Sequence, residues 1–88
     1  MKVEFSDSFA KDLKAVKVKG LLKKVQEVIE SVEKADSFAE VPNLKKLKGG
    51  GDYFRLRIGD YRIGLALESD AVIFVRCLNR KDVYKQFP

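Results

Sequence analysis

The chain opens with KVEF, in which Val3 and Phe5 alternate with charged positions at the two-residue period of a short, lone strand. From Ser6 the period lengthens. Phe9, Leu13 and Val16 recur at spacings of four and three, which predicts a helix with Ser6 as its cap and Asp7 in its first turn. Val16 to Gly20 marks a break. Leu21, Leu22, Val25, Val28, Ile29 and Val32 then form one apolar stripe along a longer helix. The two helices read as a hairpin covering one face of a sheet.

The stretch ADSFAEVPNLKKLKGGGD reads as irregular, with a short turn before Pro42 and with Leu44 and Leu47 as anchors while Lys45, Lys46 and Lys48 face water. Gly49 to Gly51 lack the spacing and the following helix of a phosphate-binding loop and read as a flexible connection. From Tyr53 onward the chain has the alternation of a three-stranded meander. Phe54, Leu56 and Ile58 alternate with Arg55 and Arg57, and Gly59-Asp60 suits a two-residue turn. Tyr61, Ile63, Leu65 and Leu67 alternate with Arg62, Gly64, Ala66 and Glu68 before AVIFVRCL supplies the third strand. RKDVYKQF reads as a terminal helical turn or ordered tail.

The two-residue turn sets a register: Ile58 opposite Tyr61, Arg57 opposite Arg62, Leu56 opposite Ile63 and Arg55 opposite Gly64. Arg55, Arg57 and Arg62 therefore share one face and the apolar residues the other, which the helices should cover. Like charges facing each other across strands repel, so the arrangement reads either as long side chains splayed apart into solvent or as a site for an anion. Gly64 and Ala66 make the centre of the arginine face low enough for a ligand backbone to approach. Counted from Ala71, strict alternation sends Ala71, Ile73, Val75 and Cys77 to the arginine face and Val72, Phe74 and Arg76 to the helix-packed face. That arrangement requires Arg76 to escape at the sheet's end unless a bulge or a different register reverses the faces, and it leaves the exposed apolar residues needing cover from Val83 and Phe87 in the tail.

Charge sharpens the picture. Residues 1–43 carry eight lysines against eight acidic residues, whereas residues 44–88 carry ten Lys or Arg against five Asp or Glu, so the net charge of +5 belongs to the second half. A polyanion is its natural partner. Guanidinium groups are planar, permanently charged and rich in donors, which suits phosphate or carboxylate. Arg80, Asn79 and Tyr84 come soon enough after the third strand to join the patch, and Tyr84 offers a ring for stacking or a hydroxyl.

The chain has no histidine, which removes the usual neutral-pH base, the zinc-dependent readings and a serine hydrolase triad. No metal and no cofactor are expected. Its one cysteine, Cys77, lies in an apolar run and reads as a buried hydrophobe in a reducing compartment. No signal-peptide pattern or membrane-length apolar run occurs, so the expected location is the cytoplasm. A cationic patch without a metal can still cleave RNA, because RNA carries its own nucleophile in the 2′-hydroxyl. Arginines stabilise the pentavalent phosphate, but they are poor bases. Proton transfer falls to Tyr84, Tyr53, Tyr61 or a lysine such as Lys48, and the rate depends on a partner that aligns the RNA.

The run LKKLKGGGDYFRLRIGDYRIGLAL followed by VIFVRCLNRKDVY resembles the RelE/ParE superfamily of type II toxins, and its RelE ribonuclease branch more than its ParE branch. The resemblance extends over nearly the whole chain and is most specific in Tyr53 to Gly64 and Asn79 to Tyr84. It implies a small α+β fold over residues 1–88 as a single domain: an N-terminal strand, a two-helix hairpin and an antiparallel meander with helices on one face. It also implies binding in the ribosomal A site and cleavage of messenger RNA by 2′-hydroxyl attack. Arg55 and Arg57 would then orient the scissile phosphate, Arg62 and Arg80 would stabilise its charge, with Arg80 assisting the leaving oxygen, and Tyr84 would stack or relay a proton. Lys45, Lys46, Lys48, Asn79 and Lys81 complete the expected RNA-binding surface.

Arginine stands at positions 55 and 57 where well-known RelE members carry lysine, and Asn79 stands where many carry histidine, so weaker intrinsic catalysis is expected. The resemblance further implies a cognate antitoxin, and promoter DNA as a partner only through the complex with that antitoxin. A gyrase-directed toxin of the ParE kind and a catalytically weak RNA-binding or antitoxin-binding protein are the alternatives.

Overall fold

A computed structural model describes residues 1–49 and 51–87. Strand β1 (Lys2–Phe5) leads into helix α1 (Asp7–Ala15) and helix α2 (Leu21–Lys34), with a single 3-10 turn at Phe38–Glu40. Four strands come next, β2 (Leu44–Lys46), β3 (Tyr53–Ile58), β4 (Tyr61–Glu68) and β5 (Ala71–Asn79), and helix α3 (Arg80–Gln86) ends the described chain. The α+β class and the helix-on-sheet layering are as the sequence pattern implies. The sheet has five strands in the order β1-β5-β4-β3-β2. KVEF is therefore no lone strand, since β1 pairs in parallel with β5. The lysine-rich segment also contributes a strand: β2 pairs antiparallel with β3, setting Lys45 opposite Arg55.

The Ser6 hydroxyl accepts the Phe9 N–H at 3.0 Å, capping α1 as expected, and donates to the Val75 carbonyl at 2.8 Å, which ties the helix start to β5. Phe9 is buried against Phe74, with ring centroids 5.4 Å apart. In α2, Leu21, Val25 and Val32 are buried and Val28 and Ile29 half-buried, but Leu22 is exposed, so the helix rolls its stripe away from that edge. Leu56, Ile58, Ile63, Leu65, Val72 and Phe74 complete the core beneath the two helices.

The hairpin register is as the turn requires: Ile58 opposite Tyr61, Arg57 opposite Arg62, Leu56 opposite Ile63 and Arg55 opposite Gly64. Gly59 makes this turn with φ of +56°, in the left-handed region where a Cβ is costly.

Strict alternation fails in β5. Leu65 pairs with Phe74 while Gly64 pairs with Arg76, so Val75 is an extra residue on this strand. Beyond it the faces exchange, Cys77 turning into the core and Arg76 leaving it. The half-buried guanidinium then meets Asp12 on α1, with Nε to Oδ2 at 2.7 Å and Nη2 to Oδ1 at 3.1 Å, and Nη2 also donates to Gln86 on α3 at 3.1 Å. Asp12 accepts the Cys77 N–H as well, at 2.9 Å. One carboxylate thus completes β5 beyond the end of β1 and pairs its arginine.

Helix α3 packs on the face opposite α1 and α2, where Val83 and Phe87 are buried, as expected of the tail. Phe87 lies directly on Gly64: a Cβ added there would sit 2.7 Å from the ring. The low centre of the sheet is therefore filled by the protein's own phenylalanine and is closed to a ligand. Tyr53 packs edge-on against the same ring at 5.7 Å.

Candidate active site

With Phe87 seated on Gly64, the remainder of the arginine face forms an open cleft of about 340 Å³ towards β2. Four cations line it, Lys45 from β2, Arg55 and Arg57 from β3 and Arg62 from β4, with Asn43 and Tyr84 at its margins. Period-two alternation on three adjacent strands is sufficient to bring these cations together.

Two of the three guanidiniums have a local support. Arg62 folds back over the hairpin, its Nη1 donating to the carbonyls of Gly59 at 2.9 Å and Tyr61 at 3.0 Å, which explains how it tolerates Arg57 directly opposite. The Arg55 guanidinium carbon lies 4.7 Å from the centre of the Tyr84 ring, a cation–π arrangement that joins α3 to β3. Tyr84 is otherwise 70% exposed, so the far face of its ring is available for stacking. Asn43 sits at the rim with φ of +62°, and its carbonyl accepts the Arg57 N–H at 3.2 Å, turning the chain into β2.

Among the described residues, no carboxylate side chain lines the cleft. Asp52 lies 3.8 Å from Lys46 and leaves Lys45 alone. Among the described residues, no group of three or more His, Cys, Asp or Glu is arranged to hold a metal ion. A second basic hollow of about 370 Å³ continues from the cleft, sharing Lys45 and Arg55 and bordered by Lys46 and Lys48.

Of the residues expected at the site, Arg55, Arg57, Arg62 and Tyr84 meet at the cleft, joined by Lys45. Arg80 does not line it: the residue opens α3 with its N–H bound to the Asp60 carbonyl at 2.8 Å and its side chain exposed. Asn79 is drawn elsewhere too. Its Oδ1 caps α3 by accepting the Lys81 N–H at 3.0 Å, and the residue borders a separate hollow of about 150 Å³ beside Asp12, Tyr61 and Cys77. Lys81 is exposed on the first turn of α3, and Lys46, opposite Phe54, belongs to the other face of β2.

Lys45 was expected on the RNA-binding surface, but the sequence pattern did not announce the strand that sets it opposite Arg55, for which the Pro42-Asn43 turn signal was the available clue. Nor did it announce the Asp12–Arg76–Gln86 connection, which has no local signature. That connection leaves an electrostatic trace. The Asp12 hydrogen bonds hold the Arg76 guanidinium above its ordinary range, and burial, followed by the Asp12 charge, pushes the Cys77 thiol up to about 11.

Residues 3–84 match the family model described as the ParE toxin of the type II toxin–antitoxin system. The chain belongs to the RelE/ParE superfamily. Within that superfamily it is 40% identical to Toxin RelE3 of Methanocaldococcus jannaschii over 100% of both chains. Its backbone matches the crystal structure of a RelB-RelE antitoxin-toxin complex from Methanococcus jannaschii with a TM-score of 0.82, at 38% identity over 97% of this chain and 99% of that one. An archaeal RelE-RelB complex from Pyrococcus horikoshii OT3 shares the fold, with a TM-score of 0.72 at 23% identity over 90% of this chain and 93% of that one.

Proposed function

We propose that this superfamily member is a ribosome-dependent endoribonuclease toxin that cuts messenger RNA without a metal, by attack of the 2′-hydroxyl on the adjacent phosphate. The observation that carries the reading is the gathering of Arg55, Arg57 and Arg62 on one cleft that, among the described residues, no carboxylate side chain lines. Charge developing on the phosphoryl oxygens of a pentavalent transition state is what such a cluster stabilises, and removal of one such preorganised donor typically lowers the rate about 10²–10³-fold. Arg55 and Arg57 orient the scissile phosphate, Arg62 neutralises its developing charge, and Tyr84 stacks on a neighbouring base. Arg80, Lys46, Lys48 and Lys81 lie outside the cleft and suit contacts with the flanking RNA backbone. The cleft is open and shallow, so alignment of the RNA falls to the ribosomal A site.

The cytoplasm is the matching location, and among the described residues no helix is long and apolar enough to cross a membrane. The relative solved as a RelB-RelE complex, at 38% identity, supports a cognate antitoxin as partner, and in this reading promoter DNA is reached only through that complex. A second reading, inhibition of DNA gyrase, is favoured by one observation, the ParE description of the matching family model.

Induction of the toxin without antitoxin, with mapping of 5′ ends, separates the two readings. Cuts within ribosome-bound codons are expected, whereas gyrase-linked DNA breaks with intact messages would overturn the ribonuclease reading. Arg57→Ala and Arg62→Ala are expected to abolish toxicity while the protein stays folded. Full toxicity in both would remove the phosphate site.

A further inference from the structure

In-line displacement at phosphorus puts the attacking 2′-oxygen and the departing 5′-oxygen on opposite sides, so a group that protonates the leaving oxygen must stand on one wall of the site while the attacking side stays open to water. The cleft has an arginine floor between two walls. On one side α3 supplies Tyr84, whose ring rests on Arg55. On the other, β2 supplies Lys45, directly opposite Arg55 and exposed. Arg80, the residue that the superfamily resemblance suggested for the leaving oxygen, does not line the cleft. The adjoining lysines are also poorly placed for the task. Lys46 lies on the other face of the strand beside Asp52, and Lys48 borders only the second hollow.

We propose that Lys45 is a catalytic residue of this ribonuclease reaction, and that its ammonium protonates the 5′-oxygen as that oxygen leaves. The inference rests on the ribonuclease reading. As the 2′-oxygen bonds to phosphorus and releases its proton to water, the bond from phosphorus to the 5′-oxygen breaks and takes a proton from Lys45 Nζ. The products are a 2′,3′-cyclic phosphate and a 5′-hydroxyl end, and the neutral amine regains its proton from solvent. An ammonium is suited to this step because it yields a proton far more readily than a guanidinium does. Arginine at position 45 would keep the charge and lose the chemistry. Tyr84 is left to stacking and to holding Arg55.

The test uses ribosomes programmed with a defined message in the A site and compares the wild type with Lys45→Arg, Lys45→Gln and Tyr84→Phe under single-turnover conditions. Lys45 is on the surface of an edge strand, so both substitutions should leave the fold intact, which circular dichroism checks. Each Lys45 variant is expected to cleave about 10²–10⁴-fold more slowly. The deciding substrate carries sulfur in place of the scissile 5′-oxygen, a leaving group that departs without a proton. On it, both Lys45 variants are expected to match the wild type to within a few fold.

Wild-type rates in Lys45→Arg on the normal message would overturn the proposal, because charge alone would then suffice. A defect that persists on the sulfur substrate would overturn it as well, since Lys45 would then act before departure. Recovery by sulfur of Tyr84→Phe alone would transfer the role to the other wall. If the wild-type protein fails to cut ribosome-bound message at all, it is the underlying ribonuclease reading that fails.

Discussion

Replacement of Gly64 by alanine tests how α3 is seated. The backbone of Gly64 lies outside the left-handed region, so a side chain introduces no backbone strain there. The obstacle is Phe87. The new Cβ would stand 2.7 Å from Cδ1 and 2.8 Å from Cε1 and Cγ of the ring, whereas carbon atoms pack best at about 3.5–4.0 Å. The ring must therefore retreat by about an ångström, or leave its site. Overpacking of this kind costs about 1–3 kcal/mol, and exposure of a buried phenylalanine costs about the same. Tyr84 lies on α3, three residues before Phe87, so either response draws its ring off Arg55.

Urea denaturation of Gly64→Ala should accordingly show a loss of about 1–3 kcal/mol, and cleavage of ribosome-bound message should fall by about 10²-fold, the scale expected for an ångström of misplacement. The control is Phe87→Ala, which removes the obstacle. In that background the same glycine substitution should change stability by less than about 0.5 kcal/mol. An equal loss in both backgrounds, or none in either, would refute the packing argument.

Asp12→Ala should destabilise the protein by about 2–3 kcal/mol, because it removes the charge partner of the Arg76 guanidinium, which keeps only Gln86, and leaves the Cys77 N–H without its acceptor; an unchanged denaturation midpoint would contradict this. Cys77 gives a pH signature. Its thiol titrates near 11 when folded against an ordinary 9.0, so the unfolded chain loses its proton first, and stability that is full below about pH 9 declines as pH rises through 11. Denaturation of the wild type and Cys77→Ala across that window should show the alanine variant with the shallower decline, and parallel curves would contradict the shift.

Much of the site was legible because it lies in regular parts of the chain. Gly59-Asp60 fixes the hairpin register and alternation fixes the faces, so the convergence of Arg55, Arg57 and Arg62 results from residue order. The errors arose where tertiary context overrides local pattern. Nothing in VIFVRCL marks Val75 as an extra residue, and only the arrival of Asp12 from α1 makes a bulge there rewarding. The short β2 has too few residues to show a period, which hid the position of Lys45 opposite Arg55. Asn79 and Arg80 come just after the last strand, where α3 begins, so Asn79 is engaged as the helix cap and neither lines the cleft.

The fold-back of Arg62 bears on how tightly an anion is held. A flexible guanidinium recruited from solvent loses rotamer freedom on binding, at about 0.5–1.5 kcal/mol per side chain. Here two carbonyls at the hairpin tip have already immobilised it and offset part of the repulsion from Arg57. On the proposed reading, an incoming phosphate would meet at Arg62 a charge already held in place, with less left to rearrange than at a freely rotating side chain.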